Sequence, residues 1–331
     1  MSFILKVFKF FSIKTLFDIS KKIKVKSNKN RLLIILDMIW CGIKYKASFH
    51  DYQEFEFYIL NANERKTYLT RGINNTIVKL YNDKKYWYIF KEKNEFYKKF
   101  KKYIKRDIIT IEANNFDKFK EFVKNKDKII VKPNDGEGGF GIEIIDTNST
   151  NIKELYNNLL QNNKIIVEEV IKQHDILNKL YDKSVNTLRI FTFFDGNEVN
   201  FLQAILKIGN GNIVDNFSSG GMYTFIDENG FVKTKAIDKN DNIYEKHPIT
   251  NKSIINLQIP YFKEAIELVK KASREIPEIK YIGWDVAITN EGPDIIEGNY
   301  YPGIFQIKPS LSPVKIGILT KYKEIIKEKK L

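Results

Sequence analysis

Two short segments near the C-terminus, Tyr281-Ile-Gly-Trp-Asp285-Val-Ala-Ile-Thr289 and Pro293-Asp-Ile-Ile-Glu297-Gly-Asn299, set two carboxylates and a carboxamide among strand-like apolar residues. The Asn290-Glu291-Gly292 link reads as a turn, so the pair is expected to close as an antiparallel hairpin. With the turn centred on Glu291, Asp285 falls opposite Glu297, and the two-residue strand period puts Asn299 on the same face. Facing carboxylates repel unless something neutralises them, and an all-oxygen set suits a hard cation such as Mg²⁺, with Mn²⁺ as a substitute. The competing reading leaves the carboxylates on a solvated strand face.

A second segment, Lys128-Ile-Ile-Val-Lys132-Pro133, is a short apolar strand ending in lysine. Gly136, Gly138, Gly139 and Gly141 follow, then the apolar run from Ile142 to Ile145. Glycines at this density allow positive φ and bring backbone N–H groups close to an anion. A hairpin with a phosphate-cradling tip is expected, with an ordinary tight turn as the alternative. It is neither a P-loop, which ends Gly-Lys-Ser/Thr, nor a dinucleotide fingerprint, which runs into a helix. A lysine among buried strand residues needs an anionic partner, and Lys132 is expected to find it in a phosphate.

Two further strands carry charge. Lys164-Ile-Ile-Val-Glu168-Glu169-Val170-Ile171 runs into an extended stretch reaching His174 and Asp175, a geometry in which backbone could meet an adenine edge while a carboxylate holds ribose hydroxyls. In Ser184-Val-Asn186-Thr187-Leu-Arg189-Ile-Phe-Thr-Phe, an inward arginine needs a buried anion, which is a ligand or a structural carboxylate.

Taken in this order, the segments resemble the ATP-grasp superfamily of ATP-dependent carboxylate ligases. They are most similar to its sugar-transfer-associated branch, through Ser184 to Arg189, Asn216-Phe-Ser-Ser-Gly220-Gly221, Gly283-Trp-Asp285-Val-Ala and Gly292-Pro…Glu297-Gly-Asn299. The likeness runs from about Lys91 to Lys308. It implies an α+β fold in which two lobes clasp ATP. It also implies that Lys93 and Lys132 contact nucleotide phosphates, with Lys98 or Lys99 as stand-ins for Lys93, and that Gly136 to Gly141 close over the β- and γ-phosphates. Glu168, Glu169, Val170 and Ile171 match the hinge for adenine, and Asp175 the ribose contact. Arg189, assisted by Lys207, matches the group that binds the transferring phosphoryl and the acyl phosphate. Asp285, Glu297 and Asn299 match the ligands of one or two Mg²⁺ ions. From the branch name comes the expectation of a glycan-precursor substrate.

A carboxylate is a poor acyl donor until ATP converts it to an acyl phosphate that an amine can attack, and the protein contributes positioning and charge neutralisation. No covalent nucleophile is needed, so Cys41 has no expected role. His50, His174 and His247 share no zinc-ligand spacing. The rival readings are a phosphotransferase using the same nucleotide residues and a non-catalytic membrane or scaffold protein. The second is disfavoured because Lys132, Arg189, Asp285, Glu297 and Asn299 are all present.

The chain has 331 residues, 43% hydrophobic, with one cysteine, which excludes an internal disulfide framework and suits a reducing cytoplasm. A net charge of +14 comes mostly from dispersed lysines without any helix-turn-helix, RNP or zinc pattern, so nucleic acid is not the expected partner. Lysine is concentrated among aromatic and aliphatic residues from Phe3 to Lys26. Internal lysines and the lack of a small-residue cleavage site argue against a signal peptide, and no apolar run is long enough to span a membrane. This segment is read either as an amphipathic helix on the inner, anionic face of a bilayer or as a helix packed on the protein itself. The expected organisation is a basic, helix-rich region at 1–90, a lid at 91–168, a larger sheet with the metal hairpin at 169–315, and a terminal helix at 316–331.

Overall fold

A computed structural model describes residues 12–136 and 138–327. The Phe3–Phe11 part of the basic N-terminal segment, Glu137 of the glycine-rich segment and the last four residues of the expected 316–331 helix lie outside the described residues.

The chain divides into two compact units, Met1–Tyr81 with Gly303–Leu331, and Asn82–Pro302. The expected lid and larger sheet therefore share one unit, and the chain from Gly303 belongs with the N-terminal region rather than with the sheet. Its tether is polar. Gln306 donates to Leu69 O at 2.8 Å and accepts from Leu69 N at 2.9 Å, and Ser310 N donates to Glu56 Oε2 at 2.8 Å. These bonds satisfy backbone groups that lie outside the α-helices and strands.

The smaller unit is helical. Ile13–Ser27 and Arg31–Tyr45 form a helical pair joined at Asn28, which ends the first helix in the left-handed conformation, and Asn30, which caps the second by accepting from Leu32 N at 2.8 Å. Leu16, Ile19 and Ile23 of the first meet Ile34, Met38 and Cys41 of the second in a core completed by Tyr52, Phe57 and Tyr68.

The larger unit is α+β, as expected, with two antiparallel sheets. Strands β1 (Ile108–Thr110), β2 (Lys128–Lys132), β3 (Glu143–Asp146) and β4 (Ile166–Glu169) form a four-stranded sheet in the order β1-β4-β2-β3. Ile129, Val131 and Val167 turn one face onto Phe119 and Val123 of the Phe116–Val123 helix and Leu155 and Leu159 of the Ile152–Gln161 helix. By the strand period, Lys132 and Glu168 lie on the opposite face.

Strands β5 (Leu188–Phe194), β6 (Val199–Ile208), β7 (Met222–Ile226), β8 (Ala236–Asp238), β9 (Ile243–Tyr244), β10 (Tyr281–Thr289) and β11 (Gly292–Asn299) form the seven-stranded sheet, in the order β11-β10-β5-β6-β7-β8-β9. The Phe262–Ser273 helix packs across β5, β6, β10 and β11. Trp284, fully buried, donates from its ring nitrogen to Thr192 and Ser273 at 3.1 and 3.0 Å and packs against Phe90, Phe96 and Phe100. Such a residue holds the sheet rigid, and truncating it to alanine costs about 3–5 kcal/mol. Gly298, between Glu297 and Asn299, makes room for this cluster, since a Cβ there would stand 2.9 Å from the Phe90 ring.

Candidate functional site

The hairpin β10–β11 pairs Asp285 with Glu297 and Gly283 with Asn299. The expected register is present, but it is reached by a different route. Thr289 pairs with Gly292, so the turn consists of Asn290 and Glu291 alone, and an extra residue, Ile296, bulges between the Val286–Ile295 and Asp285–Glu297 pairs. Without the bulge Asp285 would face Ile296, and Glu297 would point to the Trp284 side.

On the adjoining strand, Arg189 is the register partner of Asp285. Its guanidinium grips the Asp285 carboxylate with two N–H groups, Nε and an NH2 contact at 2.7 Å. Lys207, two residues beyond the Arg189 partner Ile205 on β6, reaches Asp285 Oδ2 at 3.3 Å and Asp215 Oδ1 at 3.2 Å, and donates to Asn216 Oδ1 at 3.2 Å. Asp215 in turn accepts from the Thr187 hydroxyl and, at 2.9 Å, from Thr187 N. Four adjacent strands thus present Lys207, Arg189, Asp285 and Glu297 on one face. Burial opposes ionisation of Asp285, but Arg189 and Lys207 outweigh it and hold its carboxyl well below the usual range. Glu297 moves the other way, raised by burial and by the Asp285 charge. Because its side chain still meets water, the neighbouring charge is the firmer cause.

Lys132 meets a buried carboxylate, Glu168, at 2.7 Å. Buried Glu168 also accepts from the Tyr97 hydroxyl at 2.5 Å and from Arg106 Nε at 2.8 Å, so both its oxygens are engaged by protein groups. Burial alone would raise the Glu168 pKa, whereas Lys132 and Arg106 bring it down to about 2. Arg106 continues the chain of contacts, reaching Asp294 Oδ2 at 3.0 Å and Ile295 O at 2.8 Å. One buried guanidinium therefore ties the four-stranded sheet to the residue beside the bulge.

Lys93 opens the Lys93–Phe100 helix and donates from Nζ to Gly136 O at 3.0 Å. Among the described residues no carboxylate lies within ion-pair distance of its ammonium, whose pKa is lowered by burial and by Lys132, against the opposing pull of Glu297. Lys98 pairs with Glu95 at 2.8 Å, and both Lys98 and Lys99 are exposed, so Lys93 is the lysine turned to the loop. Gly138, Gly139 and Gly141 have positive φ. The tip lies against the segment after β6: a Cβ on Gly139 would meet Asn216 Nδ2 at 3.0 Å and Val214 Cγ1 at 3.1 Å.

Glu169 accepts from Asp107 N at 3.3 Å, and Val170 and Ile171 lie partly exposed beyond β4, with backbone leading into the site. Asp175 is exposed and is joined by a 3.4 Å hydrogen bond to Asn290 of the hairpin turn. His174 caps its helix by accepting from Ile176 N at 3.2 Å, a structural task.

Among the described residues no group of three His, Cys, Asp or Glu side chains gathers as a metal site. The all-oxygen set remains Asp285, Glu297 and Asn299. Asn299 donates its amide nitrogen toward Gly283 O at 3.3 Å and Glu297 Oε1 at 3.4 Å, an orientation that leaves its carbonyl oxygen able to ligate a cation. Arg189 and Lys207 face three carboxylates, Asp285, Asp215 and Glu297, so the cluster carries a negative excess. Residues and charge fit a hard divalent cation beside Glu297. Tyr97, Arg106, Asp215 and Asp294 were not foreseen. One signal was available: only six basic residues are arginine in a chain rich in lysine, and Arg65, Arg71, Arg106 and Arg189 each grip a carboxylate.

Two antiparallel sheets, a glycine-tipped hairpin and an Asp-Glu-Asn hairpin beside an arginine define an ATP-grasp protein. The profile of the sugar-transfer associated ATP-grasp family matches residues 72–317, and the chain belongs to that family. ATP binding follows from that membership. Among solved structures, D-alanine–D-alanine ligase from Bacillus anthracis is 17% identical, with 77% of this chain and 74% of that chain covered and a TM-score of 0.40. The ATP-grasp ligase PsnB, complexed with precursor peptide PsnA2 and AMPPNP, is 13% identical over 85% of this chain and 75% of that one, with a TM-score of 0.45. N5-carboxyaminoimidazole synthetase from Staphylococcus aureus is 14% identical over 65% and 45%, with a TM-score of 0.41. No curated protein matches the chain.

Proposed function

We propose that this protein joins a carboxylate to an amine at the expense of ATP, through an acyl phosphate, and that its substrate is a precursor of a cell-surface polysaccharide. The observation that carries the chemistry is the gathering of Arg189, Lys207, Asp285 and Glu297 on one sheet face, with Lys93 and the glycine loop in the same unit. Asp285, Glu297 and Asn299 would hold Mg²⁺, which when bound neutralises phosphate oxygens. Lys93 and the N–H groups from Gly136 to Gly141 bind the phosphates. Backbone from Glu169 to Ile171 receives the adenine, and Asp175 lies at the ribose end. Lys132 supports the site through Glu168.

In the first step a carboxylate oxygen attacks the γ-phosphorus and the bond to ADP breaks. In the second an amine attacks the acyl carbon, a C–N bond forms, inorganic phosphate leaves and the amine loses a proton. Arg189 and Lys207 supply fixed positive charge where phosphoryl charge develops, and such preorganised groups are worth about 10²–10³ in rate each. The polysaccharide setting rests on the family's association with sugar transfer.

The test begins with thermal melts of the full chain with ATP, with and without Mg²⁺, for wild type and Glu297→Gln. Nucleotide at a hundred times its dissociation constant adds about 2.7 kcal/mol. A Mg²⁺-dependent shift that shrinks in the variant supports the site, and no shift for wild type removes it. Phosphate release that needs both a carboxylate and an amine then identifies a ligase. A stable phosphorylated product without an amine would instead identify a phosphotransferase.

A further inference from the structure

The Arg31–Tyr45 helix is apolar on two opposite sides. Ile34, Met38, Cys41 and Tyr45 are buried in the core of the smaller unit, as an amphipathic helix requires. At about 100° per residue, Leu32, Leu33, Leu36, Trp40 and Ile43 fall within one arc of about 100° on the other side. These five are 53–64% exposed. Five large apolar side chains in one continuous stripe differ from the scattered exposed residues found on any surface, and such a stripe marks an interaction site.

The chemistry around the stripe selects its partner. From residue 12 to residue 46 the chain carries nine Lys and Arg against two Asp, and one of these, Asp37, is bound by Arg65 at 2.6 Å. Lys14, Lys21, Lys22, Lys24 and Lys26 are exposed on the paired Ile13–Ser27 helix, together with Ile13, Phe17 and Val25. The Lys44 ammonium sits 5.2 Å from the Trp40 ring centre. Residues 1–11, which lead into this pair, read Met-Ser-Phe-Ile-Leu-Lys-Val-Phe-Lys-Phe-Phe, again without an acid. A second copy set on the stripe would bring the same positive field against itself, whereas an anionic lipid surface offers apolar depth and opposite charge together.

We infer that the Ile13–Ser27 and Arg31–Tyr45 helices dock this protein on an anionic membrane, with the Leu32–Ile43 stripe entering the acyl boundary and the lysines meeting lipid phosphates. Among the described residues no helix is long and apolar enough to cross a membrane, so the attachment lies on the surface. Residues 1–26 alone, the expected contact, omit the stripe.

Co-sedimentation of the full chain with phosphatidylcholine vesicles, with and without phosphatidylglycerol, tests this. Wild type is expected to bind only the anionic vesicles, less at high salt. Leu36→Glu with Trp40→Glu, both at exposed positions, is expected to abolish binding while leaving the melt unchanged. Lys21→Gln with Lys22→Gln should weaken it about twenty-fivefold, near fivefold per lysine. Trp40 emission should shift to the blue on the vesicles, a change absent from a Trp40→Phe protein that still binds. The inference fails if wild type ignores anionic vesicles or if the Leu36/Trp40 variant binds as well. It fails equally if binding appears only after residues 1–11 are deleted, which would make that segment the cover of the stripe, or if the stripe supports only self-association in solution.

Discussion

Glu297 stands opposite Asp285 because Ile296 bulges out of β11 between the turn and the site. That extra residue rotates Glu297 and Asn299 onto the face that carries Arg189 and Lys207. Arg106 binds Ile295 O beside the bulge and Glu168 in the other sheet, so the residue that sets this geometry is fixed by contacts distant in sequence.

Replacing Glu297 with Gln should lower ligation by at least about a hundredfold while the fold survives. The pH response separates this from a structural effect. The folded-state pKa of Glu297 is raised above its ordinary 4.5, so its contribution to stability is complete below that ordinary value and is lost as pH rises through the raised one. Without metal, wild type should lose stability in that window, Glu297→Gln should not, and Mg²⁺ should reduce the loss. Denaturant titrations across pH with coincident curves for both proteins would falsify the Asp285–Glu297 opposition.

Glu168 has the reverse sign. Its pKa is depressed from 4.5 to about 2, so its stabilisation is present above 4.5 and disappears as pH falls through that interval. Glu168→Gln leaves the Lys132 and Arg106 charges buried without their carboxylate and should cost about 3–5 kcal/mol at neutral pH. The difference between wild type and variant should shrink toward pH 2, read by chemical denaturation. A difference independent of pH would assign the loss to packing.

Gly139→Ala confronts two obstacles, a φ of +80° and the nearness of Asn216 and Val214. Gly211, at φ +86° with nothing within 4 Å of its Cβ position, isolates the first. Both alanine variants should lose about 1–2 kcal/mol from the backbone. Only Gly139→Ala should also raise the KM for ATP, by about tenfold, through displacement of the loop tip. Equal kinetics for the two proteins would show that the tip need not approach Asn216.

Lys93 links nucleotide binding to pH. Its ammonium has a lowered pKa, from burial first and Lys132 next, against the pull of Glu297. ATP should bind best below that value and weaken as pH rises through it. Lys93→Met should bind ATP weakly at every pH, with a flatter profile in the alkaline range, as followed by calorimetric titration. A variant retaining the wild-type profile would transfer the phosphate contact to another group.

Local pattern carried much of the fold. The strand-glycine-strand hairpin from Lys128, the helix near Asp117 to Val123 and the long helix near Tyr261 to Arg274 each follow from residue periodicity within a dozen or so positions. The pairing of Lys132 with Glu168 was not legible, because a lone segment reveals that a buried lysine needs an anion but not which one. Glu168, 36 positions away, became the nearest carboxylate only when β4 was laid beside β2.

The sequence by itself determined the hairpin and the presence of a glycine tip, because turns and strand alternation act between near neighbours. Tertiary structure alone decided that β5 lies against β10 and brings Arg189 onto Asp285, that β6 adds Lys207, and that Arg106 spans both sheets. Charge pairing across nearly a hundred residues is set by which strands become neighbours, and that choice depends on how the whole apolar surface is buried.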